Sequence, residues 1–125
     1  MPVPRSREIL NLVCDHVDEA QQALGRRLLI ENPSAYLALA GHEWDEVDFL
    51  VEMARRTGCG LLIDVNNVHV SASNMGFSAQ AWLDAVPGGL VGEVHLAGHS
   101  PDPVWGEALL IDSHDTPVSE TVWAL

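Results

Sequence analysis

Four short apolar runs along the chain each end in a residue that can bind a metal ion or exchange a proton. The runs are RLLIEN, GLLIDVNN, GEVHLAGH and LLIDSHD, and their closing residues are Glu31, Asp64, His95 and Asp112. Runs of this kind are typical of strands that are buried on both faces in a parallel sheet. The pattern therefore predicts four successive, adjacent parallel strands that carry these side chains at one end.

Helical periodicity lies between the predicted strands. Residues 6–24 place apolar side chains on one face and stop at Gly25, and residues 43–57 do the same and stop at Gly58. An apolar stripe followed by glycine is typical of an amphipathic helix and its C-terminal end. The chain thus alternates helix and strand in its first half.

The second half follows a looser pattern. A shorter helix is predicted from Ser78 to Pro87, and a last helix is predicted to start at Thr116, with Pro117 in its first turn. The segment AGHSPDPVWGEA has no helical pattern and is predicted to be a loop. Its length is close to the minimum for a connection between two parallel strands. The predicted order is α-β-α-β-α-β-β-α, which is the alternation of an α/β fold.

Length and composition restrict the class of protein. The chain has 125 residues, about half of the roughly 250 that a (β/α)8 barrel takes, so residues 1–125 are predicted to form one partial-barrel domain. The net charge of −12 speaks against nucleic acid as a partner. Because neither a membrane-length apolar run nor a signal-peptide pattern is visible, we expect a soluble, cytoplasmic protein with no membrane partner. Cys14 and Cys59 are predicted to be buried free thiols.

The charges are unevenly placed along the chain. All six basic residues are arginines at or before Arg56. A carboxylate at the inner end of an apolar strand must be paired, protonated or bound to a metal ion, because an isolated buried charge is costly. For Asp64 and Asp112 the nearby sequence offers histidine or a metal ion, unless an arginine returns from the first half.

The strand-end residues together predict a metal site. In α/β barrels the C-terminal ends of the strands converge on one mouth, so Glu31, Asp64, His95 and Asp112 would meet there. Mixed carboxylate and imidazole ligands suit hard or borderline divalent metals. The sequence adds Asn67 three residues beyond Asp64 and His114 two residues beyond Asp112.

Each candidate ligand also has a simpler interpretation. A strand-end aspartate often caps the following loop or helix, and the asparagines at 66 and 67 are common turn formers. Glu31 can pair with Arg26 or Arg27, and a core role for His95 is as plausible as a ligand role. His69 and His99 are candidates for an outer shell that orients ligands, whereas His16 and His42 are expected to face solvent.

Four segments, in order, carry a resemblance to a known family. LLIENPSAYL, GLLIDVNNVHVSASNMG, GEVHLAGHS and LIDSHDTPVSETVWAL resemble the middle and later strands of the multinuclear non-haem iron-dependent oxidative enzymes, a bacterial family that includes the methanobactin biosynthesis oxygenase. The resemblance implies a TIM-type barrel with two or three iron ions at its mouth. It also implies oxidative chemistry on cysteines of ribosomally made precursor peptides, often with a partner protein that presents the substrate.

The same resemblance implies a ligand set and a partial barrel. The family's ligand positions fall on Glu31, Asp64, Asn67, His95, Asp112 and His114. The family's remaining histidine and glutamate ligands lie on strands outside this sequence, which resembles roughly strands four to seven of eight. We therefore expect an incomplete iron site, no turnover by this chain alone, and oligomers that form through open sheet edges.

Two alternative functions remain open at this stage. Sugar-isomerase-like or phosphoesterase-like metal barrels use similar strand-end ligands, and would favour Mg, Mn or Zn over iron. The other alternative is an inactive, truncated remnant of a longer protein.

Overall fold

Residues 3–125, which the computed structural model describes, alternate between helices and strands. In chain order the elements are α1 (Arg7–Leu24), β1 (Leu29–Glu31), α2 (Glu46–Thr57), β2 (Gly60–Asp64), α3 (Val65–Met75), α4 (Ala79–Asp84), a 3-10 turn (Gly88–Leu90), β3 (Val91–His95), β4 (Ser100–Asp102), β5 (Gly106–Ile111) and α5 (Glu120–Trp123). Within this range, no helix has both the length and the apolar character that crossing a membrane requires.

The two long helices begin and end where their sequences provide caps. The Ser6 hydroxyl accepts a hydrogen bond from the backbone N–H of Ile9 at the start of α1, which satisfies one of the free donors of the first turn. Helices α1 and α2 end at Gly25 and Gly58, whose φ angles are 63° and 70°. Glycine adopts this left-handed conformation without a Cβ clash. The predicted helix over residues 6–24 is confirmed, and the second begins three residues later than predicted.

Strands β1, β2 and β3 form one parallel sheet in that order. Glu31 lies opposite Leu62, and Asp64 lies opposite His95. Three of the four predicted parallel strands are therefore confirmed, with their closing residues at the same end of the sheet. This α/β arrangement agrees with part of a TIM-barrel-like fold, while the assignment to strands four to seven and the single-domain extent stay predictions.

The prediction of a fourth parallel strand, ending at Asp112, is wrong. The run before Asp112 is β5, which pairs antiparallel with β4 in a separate hairpin. The carboxylate of Asp102 accepts hydrogen bonds from the N–H groups of Val104 and Trp105, and Gly106 follows with a φ of 57°. These contacts close a tight turn within the predicted loop, so the chain reverses locally and does not cross over the sheet.

The apolar core lies between the sheet and the helices. Leu61 and Ile63 of β2 are buried against Leu10 of α1, Met53 of α2 and Val68 of α3. Both predicted buried thiols are confirmed, since Cys14 and Cys59 are free and buried. On the other face of the sheet, a Cβ atom at Gly60 or Gly92 would lie 2.5 or 2.6 Å from the Leu29 side chain. The two glycines therefore make room for Leu29 over the sheet.

Two helices differ from the sequence-based expectation. Helix α3 follows directly on β2 and was not predicted, because its two asparagines suggested a turn. Helix α4 confirms the helix predicted after Ser78, whose hydroxyl caps it. The last helix begins after Ser119, which caps it through the N–H of Val122, so the predicted start at Thr116 is wrong. The Thr116 hydroxyl instead donates to the backbone oxygen of His99.

Candidate metal centre

The ends of the three parallel strands bring Glu31, Asp64 and His95 together. One ligand atom from each lies within 4.8 Å of the others. The register explains this, because Glu31 is opposite Leu62 and His95 is opposite Asp64, and residues two apart on a strand share a face. Asp64 is fully buried, whereas Glu31 and His95 are exposed. The arrangement is thus a carboxylate-rich site with one buried and two accessible members.

The two carboxylate oxygens of Asp64 have different surroundings. Oδ1 accepts a hydrogen bond of 2.8 Å from the backbone N–H of Asn67 and caps α3. Oδ2 is buried and has no hydrogen-bond partner among the described residues. The nearest basic group within residues 3–125 is Nε2 of His114, at 3.9 Å. No arginine of the described chain pairs with Asp64, so the alternative of an arginine returning from the first half does not apply.

Asn32 fixes the position of both Asp64 and Asn67. Its side chain accepts from the backbone N–H of Asp64 at 2.9 Å and donates to the Asp64 carbonyl at 3.1 Å. The backbone oxygen of Asn32 accepts from Nδ2 of Asn67 at 2.9 Å. Asn67 Oδ1 is then a buried acceptor without a hydrogen-bond donor in the described residues. Asn32 therefore holds the first turn of α3 in place. Two oxygens there, Oδ2 of Asp64 and Oδ1 of Asn67, are left without a hydrogen-bond donor in the described residues.

Asp112 and His114 reach the same place from the hairpin. Nε2 of His114 lies 2.9 Å from Oδ1 of Asp112, and the 3.9 Å separation from Asp64 links this pair to the strand ends. His114 has a φ of 55°, a left-handed conformation that costs energy for a residue with a side chain. Its N–H donates to the backbone oxygen of Gly98, which helps to hold the chain in that conformation. Although β5 is not part of the parallel sheet, the residues after it still join the cluster.

Glu93 is a neighbour of the site that the sequence interpretation did not include. Its Oε1 lies 2.9 Å from Nε2 of His95. This hydrogen bond raises the pKa of His95, burial opposes the rise, and the negative charges of Glu93, Glu31 and Asp64 add to it. When His95 is neutral, an N–H at Nε2 that donates to Glu93 leaves the Nδ1 lone pair free. The spacing of two residues on one strand was the signal that would have identified Glu93.

The remaining histidines divide into two groups. His16 and His42 are exposed, as expected, and Nδ1 of His42 accepts from the N–H of Arg5. The rings of His69 and His99 lie 4.7 Å apart, and Nδ1 of His99 contacts the side chain of Asn66. Burial lowers the pKa of His69, and the neighbouring His99 lowers it further. His99 is thus connected to Asp112 through Asn66, and the ring of His69 packs against that of His99.

Sequence reasoning missed the polar residues that hold the cluster in place. Asn32 and Asn66 are fully buried and are bonded to Asp64 and Asp112 respectively. Asn32 directly follows one predicted strand and Asn66 lies two residues after the end of the next. Helix α3 could have been recognised from Val65, Val68 and Met75 on one face with Gly76 after it. A cleft of about 380 Å³ adjoins the cluster, lined by Glu31, Asn32, Pro33, Ser34, Tyr36, Asn67 and Asp112.

These features define an α/β protein with a carboxylate- and histidine-rich group, suited to metal binding, at the ends of its parallel strands. The profile of the family described as "RiPP precursor modification enzyme MbnB/TglH/ChrH" matches residues 1–125. The chain belongs to this family, whose substrates are the precursors of ribosomally synthesised and post-translationally modified peptides. The resemblance inferred from sequence is confirmed at the family level, and the isomerase-like and phosphoesterase-like alternatives are not favoured. Iron, oxidative chemistry and the individual ligands stay predictions.

Several bacterial proteins named UPF0276 protein are similar to this chain over all of its length. The relative from Caulobacter sp. is 58% identical over 125 residues, which are 45% of its own length. The relative from Rhizorhabdus wittichii is 53% identical over 127 residues, or 43% of its length, and that from Bordetella pertussis is 51% identical over 126 residues, or 44%. The chain therefore spans a little under half the length of these curated relatives.

Proposed function

We propose that this chain carries an iron site of a peptide-modifying oxidase, with six side chains as ligands: Glu31, Asp64, Asn67, His95, Asp112 and His114. The observation that carries the proposal is the convergence of Glu31, Asp64 and His95, whose ligand atoms lie within 4.8 Å of one another. Carboxylates and imidazole together suit a divalent metal of intermediate hardness, such as Fe(II).

The uncompensated oxygens of the site support a cation as its occupant. Oδ2 of Asp64 and Oδ1 of Asn67 are buried and have no hydrogen-bond donor within the described residues. Buried polar groups in proteins are nearly always satisfied, and a buried charge needs a counterion. A metal ion held by Asp64 and Asn67 would supply the missing positive partner for these oxygens. The donor set therefore fits the proposed metal.

The protein's own groups prepare the ligands and the space beside them. Asp64 and Asn67 are immobilised by Asn32, and Glu93 orients the ring of His95 as carboxylates do in many metal sites. The cleft of about 380 Å³ places Tyr36 and Asp112 along its walls, which leaves room for a peptide side chain next to the ligands. When bound, iron supplies the redox chemistry that oxidises a cysteine thiolate at the expense of O₂.

The family match gives the proposed substrate class. A cysteine-containing precursor peptide is the proposed substrate, and a second protein that presents the peptide is the proposed partner. Because the matching relatives are more than twice as long as this chain, the peptide-modifying activity is proposed for the site in its whole protein. Metal binding is proposed for the residues present here.

Metal analysis of the purified chain tests the proposal most directly. We expect iron to copurify with the wild type, and Fe(II) added without oxygen to bind with an affinity that falls at least tenfold in Asp64→Ala and in Asp112→Ala. Asp84→Asn, an exposed acid of α4, is the matched control and should bind iron like the wild type. Zinc or magnesium in place of iron, or unchanged binding in both site variants, would refute the proposal.

Peptide modification requires a separate measurement. A cysteine-containing precursor peptide is incubated with iron-loaded protein and air, and its mass is followed by mass spectrometry. The Caulobacter relative serves as the longer reference, and a variant with the residue aligned to Asp64 changed to alanine is its inactive control. Iron binding without a change in peptide mass in that relative would retain the metal site and reject the oxidase.

A further inference from the structure

The side chain of Asn66 is completely buried and makes polar contacts with three residues in two other parts of the chain. Its Nδ2 lies 2.8 Å from Oδ1 of Asp112 and 3.3 Å from the backbone oxygen of Gly98. Its Oδ1 lies 2.8 Å from Nδ1 of His99. Asn66 is 0% exposed, so water does not replace these contacts, and a lost partner would leave a buried polar atom unsatisfied.

The chemistry of the partners fixes the orientation of the amide. A carboxylate and a carbonyl oxygen can only accept hydrogen bonds, so the NH₂ group of Asn66 must face Asp112 and Gly98. The Asn66 oxygen therefore faces His99 and requires a proton on Nδ1 of that ring. Neutral His99 must then be the Nδ1–H tautomer, which is the less populated form of free imidazole side chains in water.

Asn66 connects two parts of the site that the fold builds separately. It stands two residues after Asp64, in the first turn of α3, so the end of β2 sets its position. Asp112 follows β5 of the hairpin, which is not paired with the parallel sheet. The register of the sheet thus positions Glu31, Asp64 and His95, but it does not determine where Asp112 lies. The Asn66 amide is a direct side-chain contact between these two parts.

We propose that Asn66 is a positioning residue that orients the Asp112 carboxylate for metal binding, with His99 holding the amide in the required orientation. This inference rests on the proposed metal site. By donating to Oδ1 of Asp112, which also lies 2.9 Å from Nε2 of His114, Asn66 fixes the rotation of the carboxylate beside the strand ends. Removing partners of this kind weakens metal sites by about 10- to 100-fold.

Fe(II) titration of the full chain, under nitrogen, tests this role. We expect Asn66→Ala to weaken Fe(II) binding about 10- to 100-fold, and Asn66→Asp to weaken it further because two carboxylates would then face each other. The matched control is Asn74→Ala on the same helix, since Asn74 also bonds the hairpin, through both backbone groups of Leu110. Binding in Asn74→Ala should stay within about threefold of the wild type, with Ser71→Ala as a substitute control if that variant does not fold.

A second readout needs no metal. In the metal-free wild type, nitrogen-15 NMR should show that neutral His99 carries its proton on Nδ1. In folded Asn66→Ala, the ring should return to the Nε2–H form that predominates in water. A proton on Nε2 of His99 in the wild type would overturn the proposed orientation of the amide, whatever the metal affinities are.

The outcomes separate this inference from the proposed function. Suppose that Asp64→Ala and Asp112→Ala lose Fe(II) binding as expected. An unchanged Fe(II) affinity in Asn66→Ala, or an equal loss in Asn66→Ala and Asn74→Ala, would then overturn the positioning role and leave the metal site standing. If the wild type binds no Fe(II), or if the two aspartate variants bind it normally, the metal site itself is wrong and the positioning role fails with it.

Discussion

Asn32 and Asp64 are joined by two hydrogen bonds that continue the pairing of β1 with β2 beyond the last residue of β1. The Asn32 side chain takes the place of a backbone peptide, since it accepts from the N–H of Asp64 and donates to its carbonyl. Both residues are almost completely buried. On the β1 side, the end of β2 is therefore held by a side chain and not by a strand, while on its other side Asp64 lies opposite His95 of β3.

The Asn32 side chain should matter for stability even without metal. Asn32→Ala leaves the backbone N–H and carbonyl of Asp64 unsatisfied, and each such buried group costs about 1–3 kcal/mol. We expect the free energy of unfolding, measured by urea denaturation in the presence of a chelator, to fall by about 2–4 kcal/mol. The control is Asn11→Ala, which removes an exposed hydrogen bond to Arg56 and should change stability by less than about 0.5 kcal/mol. Equal effects of the two substitutions would contradict this account.

Asp64 should be a ligand whose charge destabilises the metal-free fold. Asp64→Asn keeps the oxygen that caps α3 and removes a buried negative charge that has no cationic partner at hydrogen-bonding distance in the described residues. We expect this variant to lose metal binding and to be at least as stable as the wild type in chelator-treated urea denaturation. Asp64→Ala also loses the cap, which costs about 1 kcal/mol. A marked loss of stability in Asp64→Asn would show that the carboxylate is structurally paired.

Glu46 should make stability depend on pH. Burial raises its pKa from the ordinary value of 4.5, opposed by Arg5 and by the hydrogen bond from Nε1 of Trp82. The folded state thus holds this proton more tightly than the unfolded state, so the contribution of Glu46 to stability is greatest below pH 4.5 and is lost as pH rises through the raised pKa. We expect Glu46→Gln to be more stable than the wild type at pH 7 and equally stable near pH 4.

A variant of a neighbouring acid distinguishes the burial of Glu46 from the interaction of its charge with the helix dipole. Asp48 is exposed in the same first turn of α2, so Asp48→Asn removes a charge from the helix N-terminus without relieving burial. We expect Asp48→Asn to be slightly less stable than the wild type at pH 7. Thermal denaturation of the three proteins between pH 4 and pH 7 makes the comparison, and parallel curves for Glu46→Gln and the wild type would count against a buried, destabilising Glu46.

Gly98 should not tolerate a side chain. A Cβ atom there would overlap the backbone oxygen and hydroxyl of Thr116, and the Gly98 carbonyl already accepts from Asn66 and from the N–H of His114. We expect Gly98→Ala to displace the segment after β5 and to lower the free energy of unfolding by about 1–3 kcal/mol. Gly89→Ala meets open space and should have little effect, and a neutral result for both alanines would show that the segment yields easily.

The parallel part of the fold was predictable from local sequence. Apolar runs that end in Glu31, Asp64 and His95 predict three strands. In a parallel sheet the closing residues of such strands lie at the same end, so the pattern also predicts that these three residues are neighbours. The amphipathic stripes and glycine ends likewise determine α1 and α2. For these elements, short-range pattern and long-range packing favour the same structure.

The hairpin and the asparagine contacts were not predictable in the same way. The run before Asp112 resembles the other strands, but its pairing depends on the turn that Asp102 closes, and turn geometry is a weaker signal than hydrophobic periodicity. The buried roles of Asn32 and Asn66 arise only from contacts between residues 32 and 46 positions apart. Nothing in the composition of a segment distinguishes such an asparagine from one in an ordinary turn.

Helix α3 sets the distance between two contacts that join it to the hairpin. Asn66 bonds Asp112 and Asn74 bonds Leu110, and these two asparagines are separated by about 12 Å along the helix axis at 1.5 Å per residue. One inserted or deleted residue between them would rotate one contact by about 100° relative to the other. The spacing from 66 to 74 should therefore resist insertions and deletions more strongly than the identities of the exposed side chains within it.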